Sequence, residues 1–192
     1  QVRPYFALID SLFKAHAEKN NFPGFAYGLI VDDSLVFAGS TGFSHLEQKI
    51  PAGKESVFRI ASMSKSFTAM AILKLKEEGK LQLDDPVYKY IPEIRNSRLN
   101  TVDAPDITIR HLLTHAGGFP EDNPWGDRQL DESDENLRKM IGRGISFSTT
   151  PGTAYEYSNL GFALLGSIIQ LVSGMPYSEY IRSGILTPLG MN

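Results

Sequence analysis

The sequence predicts an α+β chain in which helix outweighs strand, and three observations carry that expectation. Pro4 to Lys19 places apolar residues at Phe6, Leu8, Ile9, Leu12, Phe13 and Ala17, a one-sided stripe of helical period. Two apolar runs, Phe25 to Val31 and Leu35 to Ser40, are joined through Asp32-Asp33-Ser34 and read as a β-hairpin. Beyond Ser62 the pattern turns helical and loop-rich.

The elements follow from local signals. Asn20-Asn21 and Pro23-Gly24 end the first helix before the hairpin begins. Val57 to Ile60 reads as a short extended piece leading into a helix from Ser62 to Glu78, which stops at Gly79. Between Phe67 and Leu73 that helix is apolar on every side, so it should run through the middle of the molecule. Asp85-Pro86 reads as a cap followed by a first-turn proline, with Pro92 closing the short helix. Thr108 can cap a helix ending at Gly117-Gly118, Asp131 to Ile141 suits a surface helix, and Ser158 to Ser173 a buried one ending at Gly174. The longest apolar stretch, Leu160 to Val172, falls short of the ~20 residues that cross a bilayer, so no transmembrane segment is expected. Two strands alone make a marginal sheet. The hairpin is therefore expected to wait for further strands from beyond Asn192.

Composition narrows the function classes. With 192 residues, 42% hydrophobic and 21% charged, the chain is globular, one domain or a large piece of one. A formal net charge of −3 without a Lys/Arg run leaves little to neutralise a phosphate backbone, so nucleic acid is not an expected partner. The absence of cysteine removes disulfides, zinc-thiolate sites and thiol nucleophiles without fixing a compartment. The sequence opens on Gln1 with neither an initiator Met nor a signal peptide, which leans towards a processed, exported chain, a cytoplasmic one staying open.

Two short motifs carry chemistry. Ser62-Met63-Ser64-Lys65 heads the first apolar helix. A serine hydroxyl is a weak nucleophile that needs a base for its proton and a positive environment for the oxyanion that follows. A helix N-terminus supplies part of the latter, and Lys65, three residues on, shares a helical face with Ser62. The spacing alone proves little, because Ser11-Leu12-Phe13-Lys14 repeats it inside the first helix, where a solvated pair on an amphipathic surface is the better reading. For Ser62 the plain alternative is a helix cap, against which stands a lysine beside wholly apolar turns, where desolvating it has no structural return. The second motif, Tyr157-Ser158-Asn159, also reads as a cap for the helix behind it, and both readings can hold together. A phenol that takes a proton near neutrality needs a cation in hydrogen-bond reach, and a Tyr–Lys pair sharing one proton acts as a coupled unit.

With both motifs in view, the chain resembles the serine β-lactamase and penicillin-binding protein family, in its class C β-lactamase-like branch of esterases and D-amino-acid peptidases. The resemblance is strongest in Phe58 to Ala69, in Ile109 to Gly118, in Pro151-Gly152 leading to Tyr157-Ser158-Asn159, and in Pro188-Leu189-Gly190-Met191. It implies Ser62 as the acylated nucleophile, Lys65 and Tyr157 as the proton-transfer pair, and Asn159 as a donor to the substrate's amide carbonyl, with no metal or cofactor. It also implies an α/β sandwich, an antiparallel sheet flanked by helices, beside an all-helical region, of which this chain would hold only the first sheet hairpin. Residues 1–61 would supply the helix and hairpin, 62–192 the nucleophile helix and helical region, with Ser62 at their junction. In the family a strand later than the Tyr-x-Asn motif carries Lys-Thr-Gly or His-x-Gly, and no such run follows Tyr157-Ser158-Asn159 in the sequence. Since one oxyanion donor is worth ~2.7–4 kcal/mol of barrier, the chain alone should be nearly inactive unless a second polypeptide carrying the missing strands completes it.

Where class C β-lactamases read Gly-Gly-Leu-Pro-Leu-Gln, this chain reads Gly117-Gly118-Phe119-Pro120-Glu121-Asp122. Asp122, in an acidic stretch continuing through Asp127, Asp131, Glu132, Asp134 and Glu135, could receive a substrate ammonium, which leans the expected substrate towards a peptide or ester; the plain alternative is a solvated acidic loop. A covalent β-lactam sensor that acylates without turnover, or an inactive fragment, stays open beside the hydrolase. His111 and His115, four apart, have the spacing of a zinc pair but lack the Glu after the first His, so they read as structural, with His115 in the last turn of its helix. Gly39-Ser40-Thr41-Gly42 lacks the spacing of a Gly-x-Ser-x-Gly elbow.

Overall fold

Asp32 and Asp33 both adopt positive φ, 47° and 58°, which is what a two-residue turn needs to match the right-handed twist of the strands it joins. Around it the computed structural model, which describes residues 2–97, 103–122 and 132–191, pairs β1 (Gly24–Val31) antiparallel with β2 (Ser34–His45), with an irregularity between Leu29 and Ile30. A third strand, β3 (Ile50–Pro51), adds to β2 and gives the order β1-β2-β3. It is two residues long, too short for an alternation pattern, and the sequence did not reveal it. The first helix, α1 (Phe6–Lys19), follows a 3-10 turn at Arg3–Tyr5. Its apolar stripe meets the hairpin through Phe6 stacked on Phe37 and Phe13 on Tyr27, with centroids 4.7 and 4.5 Å apart. Burial, then a hydrogen bond to Asp10, pushes the Tyr27 phenol up to about 12. The second Ser-x-x-Lys copy is unremarkable chemistry: Ser11 donates to the Leu8 carbonyl and Lys14 pairs with Asp10.

The chain divides into two compact units, Gln1–Ile60, just described, and Ala61–Asn192. The second unit is helical: α2 (Ser64–Glu77), α3 (Ile109–Leu113), α4 (Asp134–Gly142), α5 (Asn159–Ser173) and α6 (Tyr177–Ile181), with 3-10 and π turns between and after them. Its core joins Ala71, Ile72 and Leu75 of α2 to Leu164, Leu165, Ile168 and Ile169 of α5, with Ile109, Leu112, Phe119 and Ile141 in the same cluster.

Several expectations need correcting. No strand forms over Val57 to Ile60, and Val57 is 96% exposed. The α2 helix is not buried all round: Met70 and Leu73 stand 41% and 48% exposed, leaving one buried face of Thr68, Ala71, Ile72 and Leu75. Pro92 opens a 3-10 turn, Pro92–Asn96, rather than closing a helix, as suits a residue with fixed φ and no N–H. Asp85 does not cap forwards through the backbone; its carboxylate accepts from Gln82 N–H, Lys89 and Tyr90. The α3 helix is capped by Thr108 as expected, but stops at Leu113, four residues before Gly117. The α4 helix starts at Asp134, capped by Ser133, and the expected earlier start at Asp131 lies outside the described residues.

Candidate functional site

Ala61, Ser62 and Met63 form a 3-10 turn that runs into α2. With three residues per turn, positions i and i+3 eclipse, and Lys65 Nζ stands 3.2 Å from Ser62 Oγ as its donor. Ala61 enters this turn at φ 46°, a left-handed conformation that costs an L-residue with a Cβ about 1–2 kcal/mol. The turn is therefore held by its surroundings rather than by its own preference.

The second motif arrives from 95 residues further along. Ser158 is the N-cap of α5, its hydroxyl accepting from Gly161 N–H, and this fixes the residues on either side of it. Tyr157 Oη lies 2.5 Å from Ser62 Oγ, close enough for a proton to pass either way. Asn159 Oδ1 accepts from Lys65 Nζ at 2.6 Å, which orients the amide so that its Nδ2 donors point elsewhere. Lys65 Nζ also lies 4.8 Å from the centroid of the Tyr157 ring and 5.6 Å from that of Phe162, in the range of cation–π attraction. Ser62 is exposed and Lys65 half-buried, so the Lys65 amine is partly withdrawn from water.

The structure thus brings Ser62, Lys65, Tyr157 and Asn159 together. Asp122 stands apart in role. Its Oδ1 accepts from Asn159 N–H at 2.6 Å, and its Oδ2 from Leu160 N–H at 2.7 Å and from Ser158 Oγ at 3.1 Å. Both oxygens are taken up by the N-terminus of α5, where unpaired N–H groups and the helix dipole favour a carboxylate. In this structure Asp122 anchors the helix that carries Asn159. Asp127 and Asp131 of the same acidic stretch lie outside the described residues.

His115 is the residue the sequence misjudged. It is not in the last turn of α3, which ends before it, but in a left-handed conformation at φ 55°, tolerated by His better than by bulkier residues. Its ring stacks on Tyr157 with centroids 4.7 Å apart, lies against Phe162 and Tyr155, and takes the Ser158 N–H on Nδ1 at 3.1 Å. Burial, then the charge of Lys65, lowers its pKa against an opposing pull from Asp122. His111 is structural as expected, closing the capping box with Thr108, and burial lowers its pKa too. Among the described residues no three His, Asp or Glu side chains cluster as a metal site.

The fold covers most of the chain in solved structures of β-lactamase and penicillin-binding type. An octameric penicillin-binding protein homologue from Pyrococcus abyssi superposes with a TM-score of 0.79 at 34% identity, over 97% of this chain and 43% of that one. A class C beta-lactamase does so at 0.78 and 27%, over 96% and 48%. Among curated relatives, Penicillin-binding protein 4* of Bacillus subtilis is 31% identical over 96% of this chain. The chain spans about 40% of that relative's length. The Beta-lactamase family description matches residues 9–192, and the chain belongs to that family.

Proposed function

We propose that this chain carries the nucleophile and the proton-transfer pair of a serine hydrolase that opens amide, ester or β-lactam carbonyls through an acyl ester on Ser62. The observation that supports it most is Ser62 Oγ held between Tyr157 Oη at 2.5 Å and Lys65 Nζ at 3.2 Å. In the acylation step Ser62 Oγ bonds to the carbonyl carbon as its proton passes to the Tyr157–Lys65 pair. Collapse of the tetrahedral species breaks the bond to the amine or alkoxide, which leaves with that proton. Water, deprotonated by the same pair, then attacks the ester, and Ser62 regains its proton as the acid departs. The Asn159 amide, oriented by Lys65, is placed to donate to an amide carbonyl of the substrate. Asp122 is engaged by α5, and the choice between peptide and ester rests on the family's breadth.

A second reading, a penicillin-binding protein that acylates and does not turn over, is favoured by the names of the relatives in Bacillus subtilis and Pyrococcus abyssi. Intact-mass spectrometry of the full-length protein after a fluorophosphonate probe tests what the two readings share. One adduct is expected, lost in Ser62→Ala; an adduct that survives that substitution, or none in the wild type, overturns both. Labelled penicillin then separates them, since a sensor keeps the acyl group and a hydrolase releases it.

A further inference from the structure

We propose that His115 is a positioning residue for the Tyr157–Lys65 pair: a neutral imidazole that carries the Tyr157 ring on its face and the Ser158 N–H on its Nδ1, so that protonating this one ring releases the loop and closes down acylation. The inference rests on the catalytic reading of Ser62 given above and adds to it a group that acts through Tyr157 and the Ser158 backbone.

The argument is geometric. A nitrogen that accepts from a backbone N–H cannot itself carry a proton, so the 3.1 Å contact from Ser158 N–H fixes the Nε2–H tautomer. The backbone around the ring is pinned to the segment that delivers Tyr157. Glu156 N–H donates to the His115 carbonyl at 2.8 Å, Gly152 N–H to that of Ala116 at 2.8 Å, and Ser148 N–H to that of Gly118 at 3.0 Å. The approach is close enough that a Cβ at Gly118, where φ is 79°, would stand 2.4 Å from the Thr149 carbonyl oxygen. The imidazole thus joins the 115–118 segment to the Tyr157 ring.

The groups facing the ring are Lys65 from α2, Asp122 from the segment ahead of it, Tyr155 and Tyr157 from the loop before α5, and Phe162 from α5. Of these only Asp122 would welcome a proton on His115, and its oxygens already serve three donors. A protonated ring would lose its acceptor for Ser158 N–H and set a second cation beside Lys65. Its lowered pKa agrees with that arrangement.

The test is the rate of fluorophosphonate labelling of Ser62 against pH, on the full-length protein and two variants. His115→Asn places an amide oxygen near the position of Nδ1, tolerates the left-handed backbone and does not titrate. It should label about tenfold more slowly than wild type near pH 8 for want of the stacked ring, yet lose less rate than wild type as the pH falls to about 5. His115→Phe keeps a ring face and lacks the acceptor, and should label about 10- to 100-fold more slowly across the range. Equal pH profiles for wild type and His115→Asn overturn the inference. Ring 15N shifts of the wild type supply a readout independent of any variant's folding: Nε2–H alone is expected near pH 7.5, and a proton on Nδ1 overturns the proposal. Absence of any wild-type adduct would overturn the proposed function, while the tautomer would still decide whether His115 holds the Ser158 backbone.

Discussion

At the scale of single residues, Tyr157 and Lys65 both reach Ser62 Oγ, one with an oxygen at 2.5 Å and the other with an amine at 3.2 Å. Tyr157→Phe keeps the ring stacked on His115 and removes only the oxygen. Its labelling rate is expected to fall by about 10²- to 10⁴-fold with the melting temperature unchanged, and a rate near wild type would show that Lys65 suffices as the proton acceptor. Ala61 allows an opposite experiment. Ala61→Gly relieves about 1–2 kcal/mol of left-handed strain against about 0.5–1 kcal/mol of added chain entropy, so urea unfolding should show a gain of about 0.5–1 kcal/mol. That Ser62, Lys65, Tyr157 and Asn159 meet in space was expected from the sequence, because the two short motifs hold residue types that suit nucleophilic chemistry. The contacts of His115 and Asp122 were not, because each works on backbone N–H groups of a segment 36 to 43 residues away, and no local pattern announces such a partnership.

At the scale of elements, α5 matters most, since its first turn is where Asn159 and the cap residue Ser158 are set. Asp122→Ala would leave two N–H groups and a hydroxyl without their acceptor. A loss of about 1–3 kcal/mol in chemical unfolding is expected, together with slower labelling of Ser62, because the residues that meet Lys65 and Ser62 flank that cap. The other end of α5 is set by Gly174 at φ 71°, and Gly174→Ala should cost about 1–2 kcal/mol with no effect on labelling of the folded protein. Both ends of α5 could be read from sequence, because a serine cap and a left-handed glycine are local signals. The end of α3 could not. The chain leaves helical geometry there to make backbone bonds with residues 148–156, a choice dictated from outside the helix. The burial of α2 was overestimated for a related reason: composition counts apolar side chains but does not say which of them find a covering partner.

At the scale of the whole molecule, acid is the expected weak point. His111 and His115 both have pKa values below the usual ~6.5, burial being the main cause in each. The unfolded chain then binds more protons than the folded one between those lowered values and ~6.5, so this contribution to stability is present above ~6.5 and is lost as the pH falls through the folded pKa values. Melting temperatures should drop on going from about pH 7 to about pH 5, and His115→Asn should flatten part of that slope; a flat wild-type profile would contradict the buried, neutral rings. The 95 residues between Ser62 and Tyr157 have a further consequence, in time rather than in space. At ~5–20 residues per second of synthesis, roughly 5–20 s separate the two on a ribosome, and closing so long a loop waits for the packing of α2 on α5. On the proposed function, the emerging chain would carry an ordinary serine throughout that interval, and the onset of labelling would mark the moment at which the helical unit first becomes native.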